Sequence, residues 1–227
     1  MDTSIGRIKQ EADLHFDILP KATAKAFRAC ASMPLFSDED WYLAGGTALA
    51  LQAGHRRSID LDFFTKRSQF DEKKIEEILS GQGEWITTSI SRGTLYGEFF
   101  EGKISLISYP FFKSANPMSK FGSISLLAPF DIAVMKIIAI SQRGKKRDFF
   151  DLFWLCQNVR PLNDFIANVD SQYNIRQNPT HILKSLVYFE DAESDPAPDI
   201  LFKADWKEVR DFFKKEVLNI TKKIILG

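Results

Sequence analysis

The sequence predicts an α+β chain, with a mixed α/β half reaching to about residue 128 and a helical half over 129–227. Three observations carry this. Short alternating stretches, bounded by glycine and polar turns, crowd between residues 41 and 109, as strands do. Beyond Pro129 the apolar residues recur at helical spacing. Apolar residues make up 44% of the 227 and charged residues 26%, the balance of a packed chain with room for two lobes.

Residues 8–32 read as helical, with a break at Pro20 and with Ala22, Ala26, Phe27 and Ala29 on an apolar face. Residues 41–44 read as a short strand running into Gly45-Gly46, and 47–53 as a helix stopped by Gly54. Residues 58–64 alternate as a strand. Residues 70–80 read as a polar-faced helix that packs Ile75, Ile78 and Leu79. Three strands follow at 84–90, 94–100 and 103–109, joined by short turns. In the second half, 130–141, 146–157, 162–173, 180–191 and 205–220 read as helices, and Pro196 and Pro198 set the last one apart. A cleft between the lobes is the default ligand site.

Lysine plus arginine and aspartate plus glutamate are each 30, so a uniformly basic nucleic-acid coat is excluded while a local basic patch is not. No apolar run approaches the ~18 residues of a membrane span, and the opening MDTSIGRIKQEADLHF lacks the hydrophobic stretch of a signal peptide. A cytoplasmic protein without membrane contact is therefore expected. Cys30 and Cys156 are far apart without CxxC spacing, which fits a reducing compartment and excludes a cysteine-rich zinc site. His15, His55 and His181 are scattered, so HExxH chemistry is absent, as are GxSxG and the Walker P-loop.

The densest pattern is LAGGTALALQAGHRRSIDLDFF at 43–64. Asp60 and Asp62, two apart on a predicted strand, share one face and present carboxylate oxygens together. Magnesium prefers oxygen ligands and keeps several waters, so two carboxylates suffice. The same spacing also fits a solvated strand face whose Ile59, Leu61 and Phe63 pack behind it. Gly45-Gly46-Thr47 lets the backbone turn sharply before a helix whose first N–H groups face an anion, with the Thr47 hydroxyl as a further donor or N-cap. An ordinary strand-to-helix turn needs no more than that.

The joint pattern, GGTALAL…HRRSIDLDFF, resembles the DNA polymerase β-like nucleotidyltransferase superfamily, and within it the AbiEii/AbiGii-type abortive-infection and toxin nucleotidyltransferases. LAPFDIAVMKIIAISQRGKKRDFFDLFWL, residues 127–155, resembles that branch's later motifs: a lysine in an apolar helix, then an arginine and a basic-Asp-x-x-Asp helix start. The resemblance implies a polymerase β-like lobe over 1–128 and a helical lobe over 129–227 that completes the cleft. It implies transfer of a nucleoside monophosphate from an NTP, with Mg²⁺ (or Mn²⁺) as cofactor on Asp60 and Asp62. It further implies nucleotide binding by Gly45, Gly46, Thr47, Arg57, Ser58 and Arg143, phosphate neutralisation by Lys136, and a catalytic or metal-proximal Asp148. Asp151 would be structural, pairing with Arg143 or Arg147. The implied partners are an RNA acceptor such as tRNA and a cognate antitoxin protein, in a toxin-antitoxin or abortive-infection system.

Apart from the resemblance, Lys136 is the only charge within 132–140, and an ammonium there must reach a cleft, a partner or the helix edge. The clusters His55-Arg56-Arg57 and 143–147 would bind triphosphate or an RNA backbone if they face the cleft; otherwise they are solvated charge runs. The Phe-Phe doublets read as core.

One departure stands out. The branch places a third carboxylate in a segment that here reads Lys103-Ile104-Ser105-Leu106-Ile107-Ser108-Tyr109-Pro110, and Ser105 occupies the acid's position. If Glu101-Gly102 forms a two-residue turn, Glu98 opposes Ser105 and becomes a surrogate acid; Asp148 is the other candidate. Without either, the chain would be a catalytically impaired nucleotidyltransferase-like module that binds nucleotide, RNA or protein.

Overall fold

The computed structural model describes residues 7–37 and 40–226, with side chains through residue 223. The chain divides into two compact units, Met1–Ala128 and Pro129–Gly227. The first is built on a seven-stranded mixed sheet. Its strands are β1 (Trp41–Ala44), β2 (Leu61–Thr65), β3 (Trp85–Ser91), β4 (Thr94–Phe99), β5 (Gly102–Ser108), β6 (Ser119–Phe121) and β7 (Ile124–Leu126), in the order β3-β4-β5-β2-β1-β7-β6. β2 lies between β1, to which it is antiparallel, and β5, to which it is parallel.

Register sorts the side chains of β2, β5 and β4 onto two faces. Leu61 and Phe63, Ile104 and Leu106, Leu95 and Phe99 share one face and are buried. Helix α1 (Lys21–Ala31) seats against β5 at Gly102, where a Cβ would press on Ala26 and on the Ala22 carbonyl. Helix α3 (Glu72–Ser80) starts at Asp71, whose side chain accepts from the Lys74 N–H, and buries Ile75 and Leu79. The opposite face carries Asp62, Ser105, Lys103, Tyr96 and Glu98.

Several elements differ from the sequence reading. Residues 8–20 hold two short 3-10 turns, Glu11–Asp13 and Phe16–Ile18, rather than a helix, because Pro20 holds Leu19 extended and α1 begins only after it. Helix α2 (Gly45–Ala53) takes in both glycines, and Gly54 ends it in the left-handed conformation at φ 62°. The strand expected from residue 58 begins at Leu61, and Ile59, expected in the core, is 51% exposed. β6 and β7 were not anticipated; at three residues each, they are too short to show alternation.

The second unit contains α4 (Pro129–Arg143), α5 (Lys146–Asn158), α6 (Leu162–Ala167), α7 (Val169–Gln172), α8 (Pro179–Ser185), α9 (Glu190–Glu193) and α10 (Trp206–Leu226). The helices expected at 162–173 and 180–191 are each divided in two. Phe149 is fully buried at the centre of an aromatic cluster with Phe189, Trp206 and Phe213, ring centroids 5.3–5.7 Å away. Each such buried ring stabilises the unit by about 1.5–3 kcal/mol. Every Phe-Phe doublet places a ring in the core: Phe63, Phe99, Phe112, Phe149 with Phe150, and Phe213. No helix among the described residues is long and apolar enough to cross a membrane.

Candidate active site

The glycine turn and the acidic strand are built as one piece. Ala44, the last residue of β1, pairs with Asp62 on β2, so Gly45 emerges beside that carboxylate. Gly45 has φ 71°, and a Cβ on it would stand 3.3 Å from Asp62 Oδ2. A Cβ on Gly46 would collide with the Arg56 guanidinium and reach Ser58 Oγ at 3.5 Å. Gly45 is therefore favoured by its backbone conformation, while the space a side chain would need at Gly46 is taken by the end of the Arg56 side chain. Thr47, buried, lies 2.7 Å from Ser58 Oγ and donates its hydroxyl hydrogen to the Asp60 carbonyl. That hydroxyl serves neither as N-cap, a position held by Ala44, nor as an outward donor. It fixes the start of the acidic strand to α2, whose first backbone N–H groups have no partner within the helix.

Asp60 precedes β2 and Asp62 lies within it; both side chains are half-buried. Across the sheet the register runs Ala44, Asp62, Ser105, Tyr96, one residue per strand. A neighbouring row joins Lys103, Glu98 and Ile86. Between these rows lies a cavity of about 410 Å³, lined by Asp60, Tyr96, Gly97, Glu98, Lys103 and Ser105 among others.

The hairpin expectation needs correction. The turn is Phe100-Glu101, both with positive φ (50° and 65°), and Glu98 faces Lys103, while Tyr96 faces Ser105. Gly102 was taken for a turn residue, but its missing side chain makes room for α1. Glu98 still projects on the face of Ser105, as a diagonal neighbour roughly 7–8 Å away instead of directly opposite.

In the second unit Lys136 is buried between two fully buried aspartates, 2.6 Å from Asp148 Oδ1 and 2.6 Å from Asp151 Oδ2. Arg143, half exposed, donates from Nε to Asp148 Oδ2 at 3.1 Å. Asp151, expected to be structural, lies against the Lys136 ammonium. Lys136 therefore joins α4 to α5 with its charge already balanced. Arg143 also lines a second cavity, of about 320 Å³, with His181, Lys184 and Tyr188.

The basic clusters resolve residue by residue. His55 and Arg56 are buried and Arg57 is exposed. Arg56, over the glycine turn, donates from Nη1 to the Arg57 carbonyl at 2.8 Å. Lys145 pairs with Asp195 at 3.1 Å, and Lys146 Nζ donates to the carbonyls of Glu193 (3.2 Å) and Asp195 (2.6 Å). These two lysines secure a loop instead of offering a phosphate surface. Sequence reasoning named Arg56 only as part of a basic cluster and gave Tyr96 and Lys103 no role. Two adjacent arginines look alike until the turn is built, and the strand alternation of 94–99 was the signal available for Tyr96.

Among the described residues no group of three or more His, Cys, Asp or Glu is arranged to hold a metal. A metal at the turn would have Asp60 and Asp62 as its candidate protein ligands. Hard carboxylate oxygens beside a glycine-cleared turn suit Mg²⁺, which takes its remaining ligands from water and phosphate.

The model of the family described as nucleotidyl transferase AbiEii toxin, type IV TA system, matches residues 31–88 and 102–220. An uncharacterised protein of Aquifex aeolicus (strain VF5) is 37% identical over 205 residues, covering 88% of this chain and 96% of the relative. Among solved structures, the chain is similar to MenT4, a nucleotidyltransferase toxin of Mycobacterium tuberculosis H37Rv, with 15% identity and TM-score 0.49 over 87% of this chain and 84% of that one. It is also similar to an H. pylori protein assigned to the nucleotidyltransferases, with 16% identity and TM-score 0.48 over 90% of this chain and 96% of that one.

Proposed function

The chain belongs to the AbiEii nucleotidyltransferase toxin family, and we propose that it moves a nucleoside monophosphate from an NTP to an RNA acceptor such as tRNA, with Asp60 and Asp62 holding Mg²⁺ or Mn²⁺. One observation carries this reading: Thr47 ties the start of α2 to Ser58 and Asp60, in the segment that leads into the strand bearing Asp62. A phosphate seat and a pair of hard oxygen ligands thus share one rigid element. The bound ion would supply neutralisation of phosphate charge. The backbone N–H groups at Gly46 and Thr47 receive the triphosphate, with Arg56 above the turn and Arg57 and Ser58 at its rim. Positioning and electrostatics of this kind account for most catalysis of phosphoryl transfer.

Glu98 takes the proton of the attacking hydroxyl in place of the acid that Ser105 lacks. Its support is that it lines the same cavity as Asp60 and Ser105. Lys136 and Asp148 act as a structural clamp within the helical unit, where the Arg143 guanidinium stays half exposed. A cognate antitoxin, as the toxin family implies, completes the system in the cytoplasm.

The test is incubation with each labelled NTP, Mg²⁺ and total RNA. Label should pass to RNA from one NTP, only with metal, and not with the Asp60→Ala, Asp62→Ala double variant. Metal-dependent NTP binding without pyrophosphate release would assign the chain to nucleotide binding alone.

A further inference from the structure

The two edges of the seven-stranded sheet are treated differently. Beside β6 the chain at 7–9 lies alongside: the Lys9 N–H donates to the Lys120 carbonyl at 2.7 Å, and the Lys120 N–H to the Arg7 carbonyl at 3.1 Å. The other edge is β3, and no described strand pairs with its outer side. An edge strand carries a row of N–H and C=O groups ready to pair with another chain.

β3 has little of the usual protection. Trp85-Ile86-Thr87-Thr88-Ser89-Ile90-Ser91 holds no charge and no proline, and Ile86 and Ile90 are 63% and 44% exposed. Its one guard is the bulge between Thr87 and Ser89, which leaves Thr88 without a counterpart on β4. The charges stand just outside the strand, Glu84 before it and Arg92 after it, both exposed. Among the described residues neither is in an ion pair; Arg92 donates to the neutral Gln69 side chain at 3.3 Å. Read backwards, the stretch 84–92 repeats its own pattern: isoleucine third from each end, hydroxyl residues between, and charges of opposite sign at the tips. A two-fold interface joins one patch to itself, so it needs this kind of self-complementarity.

We propose that β3 is the seam of a dimer, in which a second copy of the chain adds its own β3 antiparallel, about a two-fold axis near Thr88. Glu84 of each copy then lies beside Arg92 of the other, so the attractive pair forms twice. A parallel, in-register seam would set like charges together at both ends. Ile86 and Ile90 each gain a neighbouring strand, which removes apolar surface from water. Thr88 also lines the cavity of about 410 Å³, so the second copy stands at its rim. The association is independent of whether nucleotide is transferred.

The test is analytical ultracentrifugation of the full chain over a concentration series. The parent should pass from 25.9 kDa to twice that mass. Ile86→Lys combined with Ile90→Lys should hold the single mass and keep the parent's circular dichroism spectrum, since both positions are exposed and lysine on an edge opposes pairing. Arg92→Glu should weaken the dimer by about tenfold, because both end contacts turn repulsive. Adding Glu84→Arg to that variant should restore the dimer by exchanging the two charges. A parent that stays a monomer at every concentration overturns the proposal and leaves β3 to a different chain. A dimer that survives the two lysines overturns it as well, and so does a charge exchange that restores nothing.

Discussion

The chain carries two aspartate pairs of nearly equal spacing and opposite circumstance. Asp148 and Asp151 are fully buried and share the Lys136 ammonium. Asp60 and Asp62 are half-buried, and Asp60 borders a cavity. A buried carboxylate needs a fixed counter-charge, and once that is supplied the pair has little left to offer a ligand. A half-buried carboxylate such as Asp60, at the border of a cavity, can still be reached by one. Burial, more than residue type or spacing, separates the clamp from the candidate metal site.

The sharpest way to break this contrast is Lys136→Met. Removing the cation leaves two buried carboxylates without it, and denaturant unfolding should show a loss of about 3–5 kcal/mol. A variant as stable as the parent would erase the distinction. Next comes Asp62→Asn, which should lower transfer at least about 100-fold, close to 2.7 kcal/mol of barrier, while the unfolding midpoint barely moves. A large stability loss there would make it a second clamp. Gly46→Ala should cost about 1–3 kcal/mol in stability, and NTP binding should fall with it, because the new methyl displaces Arg56.

The smallest effect concerns a third, solitary carboxylate. Burial pushes the Asp195 carboxyl up, but the Lys146 N–H and the Lys145 ammonium hold it below the ordinary 3.8. Its stabilising contribution is therefore complete above the ordinary value and disappears as pH falls through the lowered one. Asp195→Ala should cost about 1 kcal/mol at neutral pH, as a lost helix-end contact does. The gap between variant and parent, followed by thermal unfolding, should close in acid.

What could be read in advance was local. Glycine turn, short helix and DxD lie within one stretch of chain, and each follows from neighbouring residues. The Lys136 clamp could not be read the same way: a lysine among isoleucines signals only that a partner exists, and α4 and α5 must be packed before Asp148 and Asp151 become that partner. Glu101-Gly102 misled for a related reason. A glycine after a polar residue suggests a turn, yet here α1 demands it, and Phe100 and Glu101 adopt the turn conformation, with Phe100 held by the Glu84 carbonyl and the Lys25 ammonium.

The Thr47 hydroxyl also has a thermodynamic consequence. It ties α2 to the backbone of Asp60, so on the proposed function an anion at the turn and a metal on the acidic pair would be coupled through that bond. Linkage is reciprocal: the factor by which triphosphate tightens the metal is the factor by which metal tightens triphosphate. If the two ligands tighten one another in this way, each alone would bind more weakly than the two together. A toxin with that coupling would respond to the product of two cellular concentrations.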